Sequence, residues 1–347
     1  MNEADNGATR FPVDMREGII WAYRLLLERE PNNEQAVMFH EAEHYSVSTL
    51  RTAFRECAEY RAAHSTTALL AASAAVIARF EPFCDKPAPT GSWHDFLGVR
   101  TRCSFLPDAY MAISGIVQGP PGSANGPIHD LPEWIGTLQS VLEAQSQMTV
   151  VELGAGWAPW LVASANAAAR IGIHDVRLIG VEGSSGHVAY MRQHFIDNGV
   201  DPDAHALHHA VVGSYDGIAH FPKLLEPNNT YGSQASDASD DSPDMEDVSC
   251  ITLQTLLEPV LRVDLLHCDI QGAEAAVFRH GQEIVDKRVH RLVIGTHSRD
   301  VEADLLNLFG SLGWVLEAES VCQLVQTKDG MFSLAVDGTQ VWRNPKI

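Results

Sequence analysis

Apolar residues recur at helical spacing from Arg16 to about Phe80: Ile19, Ile20, Tyr23, Leu26 and Leu27, then Leu50, Phe54 and Cys57, then an Ala-rich run. This pattern predicts a small helical region over residues 1–81, broken at Glu30, Pro31, Asn32 and Asn33, with Ser48 placed to cap a helix. Residues 82–147 read as an irregular, Pro- and Gly-rich connection followed by one helix. Asp130, Leu131, Pro132 and Glu133 make a D-x-x-E capping box, and the helix it starts runs towards Ala144. From Met148 onward short apolar runs alternate with helical spacing, the order expected of a parallel sheet covered on both faces. Strands are expected at Thr149 to Leu153, Val176 to Glu182, Ala206 to Val212, Val263 to Asp269 and Arg291 to Thr296. Near the end, Trp314 to Glu319 and Met331 to Val336 flank Lys328, Asp329 and Gly330, which reads as an antiparallel hairpin. The fold class is therefore α/β, Rossmann-like, over 148–347, with a mostly parallel sheet finished by that hairpin. One stretch, 226–247, has seven acidic residues and no Lys or Arg, so it is expected to be a mobile surface loop or a lid.

The composition narrows the partners. A formal net charge of −21 argues against nucleic acid or anionic membrane, both of which need Lys and Arg to neutralise fixed negative charge. No secretory signal opens the chain, and the run from Thr66 to Ala78 is too short for a bilayer span, so a cytoplasmic protein is expected. Self-association into a homo-oligomer is left open. The six cysteines are scattered, without a C-x-x-C pair, and are expected to be reduced and mostly buried.

The chemistry concentrates where predicted strands end. Val150-Val151-Glu152-Leu153-Gly154-Ala155-Gly156-Trp157-Ala158-Pro159 is a strand entering a glycine turn and then a helix. Gly154 and Gly156 let a ligand approach the backbone. A dinucleotide fingerprint would need a third glycine where Pro159 stands, and Trp157 crowds the diphosphate position, which disfavours an NAD-dependent oxidoreductase. Glu152 would repel a diphosphate and welcome a cationic ligand. Glu182 ends the next strand, followed by Gly183 and Ser184, and an acid there can hold both ribose hydroxyls. Ala210 and Val211, small and apolar, suit an adenine ring.

The fourth strand runs into Asp269-Ile270-Gln271-Gly272-Ala273-Glu274, which resembles the D-x-E-G-x-E signature of FkbM-type methyltransferases, with Gln271 in place of Glu. The resemblance extends from about Asp130 to Pro345 through V-E-L-G-A-G, V-E-G-S, I-G-T-H-S (Ile294 to Ser298) and D-G-x-Q-V-W-R-N-P (Asp337 to Pro345). It implies a class I methyltransferase fold using S-adenosylmethionine to methylate a hydroxyl of a sugar, glycan or natural product. Glu152, Gly154, Gly156, Trp157, Glu182, Gly183, Ser184, Ala210, Val211, Asp269 and Gln271 are then the expected cofactor contacts. A non-catalytic nucleoside-binding partner protein is the alternative.

A hydroxyl acceptor must sit roughly 3 Å from the methyl carbon and lose its proton. His297 and Asp269 are expected at neighbouring strand ends. An imidazole of ordinary pKa suits a base at neutral pH, so His297 is the expected base, with Asp269 and Glu274 supporting it. The same three residues leave a divalent cation such as magnesium open. Arg100, Thr101, His129 and Tyr231 are the expected acceptor contacts.

Overall fold

The computed structural model describes residues 15–26, 30–31, 33–43, 50, 53–54, 73–83, 87–123, 126, 131–235, 244–327 and 330–347. The chain divides into two compact units, 1–75 and 76–347. In the first, α1 (Met15–Leu26) and α2 (Glu34–Glu43) bury Ile19, Tyr23 and Val37 with Leu50 and Phe54, and Tyr23 meets Phe54 edge-on at 4.8 Å. Asn33 opens α2 by accepting the Ala36 amide at 3.0 Å. Ser48 and Cys57 lie outside the described residues.

The second unit begins with β1 (Ser92–His94) paired to β2 (Arg100–Arg102), then α3 (Leu131–Glu143), where the capping-box pattern put a helix. Its main sheet is made by β3 (Gln147–Leu153), β4 (Asp175–Glu182), β5 (Ala206–Gly213), β6 (Gly217–Pro222), β7 (Met245–Thr252), β8 (Val263–Cys268), β9 (Val289–Thr296), β10 (Val315–Ser320) and β13 (Gly338–Arg343). Their order is β10-β13-β9-β8-β3-β4-β5-β7-β6. The run from β7 to β9 is parallel, while β6 and β13 are antiparallel to their inner neighbours. The chain leaves β3 towards β4 and β5 and returns to β8 on the opposite side. This makes a switch point, where neighbouring crossovers diverge and open a crevice at the carboxyl ends of the strands.

Helices α4 (Pro159–Arg170) and α5 (Ser185–Asp197) pack on one face. A Cβ on Gly180 of β4 would meet both Met191 of α5 and Leu161 of α4. The other face is sealed by α6 (Leu253–Leu257), α7 (Glu274–His280), α8 (Gln282–Arg288) and α9 (Arg299–Ser311). Leu253, Phe278, Val285, Leu305 and Phe309 from these helices join Val151, Ile179, Leu266 and Leu292 in one core. Burial of this apolar area is the main stabilising term.

Two expectations are corrected. The Gly330 turn exists, with its amide donated to the Thr327 carbonyl, but it joins β11 (Gln323–Gln326) to β12 (Phe332–Val336) as a separate exposed ribbon. The sheet partner of β10 is β13, so the antiparallel finish uses the last strand of the chain. The acidic stretch is also less of a loop than its composition suggests. Met245 to Asp247 belong to β7, and Pro227–Asn229 form a short 3-10 turn that packs on α5, where Pro227 accepts a hydrogen bond from His187. Composition reports solvation tendency but not edge pairing or a single aromatic anchor. Cys103, Cys250, Cys268 and Cys322 are buried and not joined in disulfides, as expected, while Cys57 and Cys84 lie outside the described residues. Among the described residues, no helix is long and apolar enough to cross a membrane.

Candidate functional site

The switch point opens into a cavity of about 780 Å³, within the roughly 300–1,000 Å³ range of small-molecule sites. Its floor is the turn after β3. Gly154 and Gly156 have φ of +69° and +55°, and a Cβ on Gly154 would lie 1.8 Å from the Asp269 carbonyl. Only glycine fits there, because the turn after β3 and the turn after β8 touch through bare backbone. The Gly154 and Ala155 amides donate to the Val181 carbonyl, and Pro159 starts α4, where a missing N–H costs nothing.

Four carboxylates line the cavity: Glu133, Glu152, Glu182 and Asp269. Glu152, 1% exposed, accepts the Leu161 amide at 2.9 Å and the Trp160 amide at 3.4 Å, at the positive end of α4. Burial, with the charges of Glu133 and Asp269, raises its pKa well above the usual carboxylate value despite those amides. Glu182 accepts from the Gly156 amide at 2.8 Å and the Ser184 amide at 2.7 Å, which locks its carboxylate at the strand end. Beyond it the wall turns apolar, through Ala210, Val211, Ala219, Phe221 and Cys250.

The mouth is aromatic. Tyr231 lies flat on His187 (centroids 4.3 Å apart, 7° between planes), meets Trp157 edge-on at 5.1 Å, and donates its hydroxyl to the Phe105 carbonyl. Burial and the nearby Tyr190 and Glu182 push its phenol pKa up, so it stays neutral. His187 is bonded to the Pro227 carbonyl at 2.8 Å, with its other nitrogen 3.6 Å from Glu182.

His297, Asp269 and Glu274 do converge. His297 Nδ1 donates to Glu274 Oε1 at 2.9 Å, and its Nε2 lies 3.1 Å from Asp269 Oδ1, though not aligned for a hydrogen bond. Glu274 Oε1 also accepts the Ile270 and Gly272 amides, and Gln271 donates to Asp269 at 2.8 Å. Burial would lower the His297 pKa, but the two carboxylates outweigh it and raise it to about 10. Burial likewise opposes ionisation of Asp269, yet His297 and then His267 hold its carboxyl below the usual value. The role expected of His297 therefore changes. It is an imidazolium at neutral pH, it does not line the cavity, and a group already protonated cannot take a proton from an acceptor. Donor atoms of the three residues lie within 4.8 Å of one another, close enough to hold a cation.

Of the remaining expected contacts, Gly154, Gly156, Trp157, Gly183, Ala210, Val211, Gln271 and Tyr231 line the cavity. Ser184 does not: its hydroxyl caps α5 by accepting the His187 amide. Thr101 and Arg100 lie outside the wall as well. Thr101 pairs with His194 at 3.2 Å, and Arg100 donates to Ser92 at 3.2 Å. His194, its other nitrogen on the Trp157 carbonyl, is pushed by burial to a pKa of about 4 and is neutral. His129 lies outside the described residues.

The sequence reading missed His267 and Glu133. His267, 3% exposed, stacks on Trp160 and places Nε2 3.2 Å from Glu133 Oε1, and its Nδ1 has no partner. A signal existed, since two residues apart at the end of a strand His267 and Asp269 share a face. Glu133, 134 residues away in sequence, could not be paired with it by pattern.

The family profile described as methyltransferase FkbM domain matches residues 171–312. A protein of Jannaschia sp. (strain CCS1) that carries a methyltransferase name is 32% identical over 270 residues, covering 75% of this chain and 95% of its own length. Among solved structures, precorrin-6y C5,15-methyltransferase from Geobacter metallireducens GS-15 aligns with a TM-score of 0.35 at 14% identity, over 64% of this chain and 93% of that one. The C-terminal domain of precorrin-6Y C5,15-methyltransferase from Rhodobacter capsulatus gives 0.33 at 13%, over 65% and 96%. With a relative matched along nearly its whole length and the family signature sitting at the mouth of the switch-point cavity, this chain belongs to the FkbM methyltransferase family.

Proposed function

We propose that this methyltransferase uses S-adenosylmethionine to methylate a hydroxyl of a small molecule or glycan. The observation that carries the reading is the polarity of the cavity. An acid-rich corner at Glu133, Glu152 and Asp269 is followed by Glu182 at the end of β4 and then by an apolar pocket at Ala210, Val211 and Phe221. That sequence suits an amino-acid tail and sulfonium, then a ribose, then an adenine. The residues fit the cofactor. Both Glu182 oxygens are oriented by backbone amides and keep lone pairs for ribose hydroxyls, and the bare Gly154 and Gly156 turn admits close approach. The cofactor, when bound, supplies an electrophilic methyl group.

The chain's own residues do the rest. Tyr231, Trp157 and Leu106 wall the mouth and exclude water, while Asn229, Ser233 and Gln271 offer hydrogen bonds to an acceptor. Glu133, rather than His297, accepts the proton of the acceptor hydroxyl. Glu133 lies in the wall, and the Nε2–H of His267 is placed to orient its carboxylate. Calorimetry of the full chain with S-adenosylmethionine, S-adenosylhomocysteine and NAD tests the site, and deuterated-methyl transfer to a panel of sugars and phenols tests the reaction. Tight binding of NAD with no binding of either adenosyl compound would refute the proposal.

A further inference from the structure

The ribbon of β11 and β12 presents an apolar face that the described chain leaves open to solvent. The two strands form a sheet of their own, with Leu324 opposite Leu334 and Gln326 opposite Phe332. Cross-strand partners point to one side and successive residues to opposite sides, so Leu324, Phe332 and Leu334 share a face, while Val325 and Ser333 share the other. Leu324, Val325, Met331, Phe332, Leu334 and Val336 are between 36% and 67% exposed. A two-stranded ribbon alone is marginal in water and is normally held by a third strand or a packing partner. Nor does this one carry the charges or prolines that usually protect exposed strands. From Val321 to Val336 the charged residues are Lys328 and Asp329 alone, between the two strands in sequence. Its place in the fold is fixed by its neighbours. β10 ends at Ser320, and β13 begins at Gly338 opposite Thr296, the last residue of β9, so the ribbon leaves the main sheet at the edge where the parallel strands end.

We infer that this face docks a second copy of the chain, the two ribbons packing apolar face to apolar face about a twofold axis. Charge decides between occupants. A net charge of −21 opposes close approach of two copies in general, and a segment holding one acid and one base is where that repulsion is weakest. A basic partner would find no row of carboxylates to pair with, and a lipid surface would meet one Lys where interfacial elements carry several. A twofold contact requires a self-complementary patch, which Leu324, Phe332 and Leu334 on one flat face supply. The size is also sufficient. Six apolar side chains about half exposed present roughly 500 Å² per copy. Two copies would then remove roughly 1,000 Å² from water, the area at which specific interfaces begin. This contact does not depend on the cofactor or the acceptor.

Sedimentation velocity of the full-length chain tests it. A monomer–dimer equilibrium with a dissociation constant of about 10 µM or tighter is expected. Leu334→Asp places a charge at the centre of the contact and should weaken the dimer at least about 100-fold. Val325→Asp adds the same charge on the opposite face and should leave the constant within about threefold. Far-UV circular dichroism reports whether each variant folds. Should Leu334→Asp fail to fold, oxidative cross-linking decides in its place: Leu334→Cys should give a covalent dimer, and Val325→Cys and the wild-type chain should not. A wild-type chain that stays monomeric at about 100 µM overturns the inference. So does a folded Leu334→Asp chain that dimerises as well as wild type, or a dimer weakened equally by both aspartates. A monomer that floats with phosphatidylcholine vesicles, and loses that ability with Leu334→Asp, would replace the second copy by a lipid surface.

Discussion

Replacing His297 with Gln should make the chain's stability less dependent on pH on the alkaline side, and the size of the effect follows from its two carboxylate neighbours. In the folded chain the imidazolium sits between Glu274 Oε1 and Asp269 Oδ1, with a pKa raised to about 10 from an ordinary 6.5. A folded pKa above the unfolded value means the folded state binds the proton more tightly. The stabilisation is therefore fully present below about pH 6.5 and disappears as pH rises towards 10. At about 1.4 kcal/mol per unit, the 3.5-unit difference is worth about 5 kcal/mol at most, close to the 3–5 kcal/mol typical of breaking a buried ion pair. Gln carries no titrating proton, so the difference between wild type and His297→Gln should be about 4 kcal/mol at pH 7 and about 1 kcal/mol at pH 9.5. Urea unfolding followed by tryptophan fluorescence at several pH values reads that difference directly. Parallel wild-type and variant curves from pH 7 to 9.5 would show that His297 is not held as an imidazolium, and would restore it as a candidate base.

Three further outcomes follow from the same reasoning. Asp95 is buried, accepts the Leu97 and Val99 amides through one oxygen, and has a pKa raised by burial to about 7. It favours the folded state only while protonated, a contribution lost as pH rises from about 4 to 7. Asp95→Asn keeps the accepting oxygen and should therefore stabilise the chain by up to about 4 kcal/mol at pH 8 and hardly at all below pH 4; no gain in thermal midpoint at pH 8 counts against it. Gly154→Ala should lose cofactor binding and lower the melting temperature, because the left-handed backbone alone costs about 1–3 kcal/mol and the added carbon meets the Asp269 carbonyl; an unchanged melting profile would contradict the close approach. Glu182→Ala should weaken S-adenosylhomocysteine about 10- to 100-fold, the worth of two charge-assisted hydrogen bonds, and unaltered affinity in a folded variant would take Glu182 out of the site.

The five parallel strands β3, β4, β5, β8 and β9 were legible because each is a short apolar run, and Glu152, Glu182 and Asp269 stand at or next to the ends of three of them. The edges were not. The residues of β7 before Val248 carry acids that face outward, so the strand reads as a solvated loop until its pairing with β6 is known. The turn at Gly330 was a correct local signal attached to the wrong global partner, since turn chemistry fixes which residues reverse the chain and says nothing of which strand reaches the main sheet. His297 was found, but its protonation was misjudged. The imidazole alone suggests a base near neutrality, and only the distances to Glu274 and Asp269 turn it into a fixed cation.

The Tyr231 ring joins pieces of chain that the central sheet does not need. It bonds the turn at Phe105, rests on His187 and edges Trp157, so the rim is assembled from the irregular segments 103–110 and 227–235, whereas the floor comes from strand ends. Rim and floor can then change independently. Substitutions at Asn229 or Ser233 should alter what enters without disturbing the core beneath the sheet, which under the proposed function gives this scaffold room to take new acceptors while the strand-end floor stays as it is.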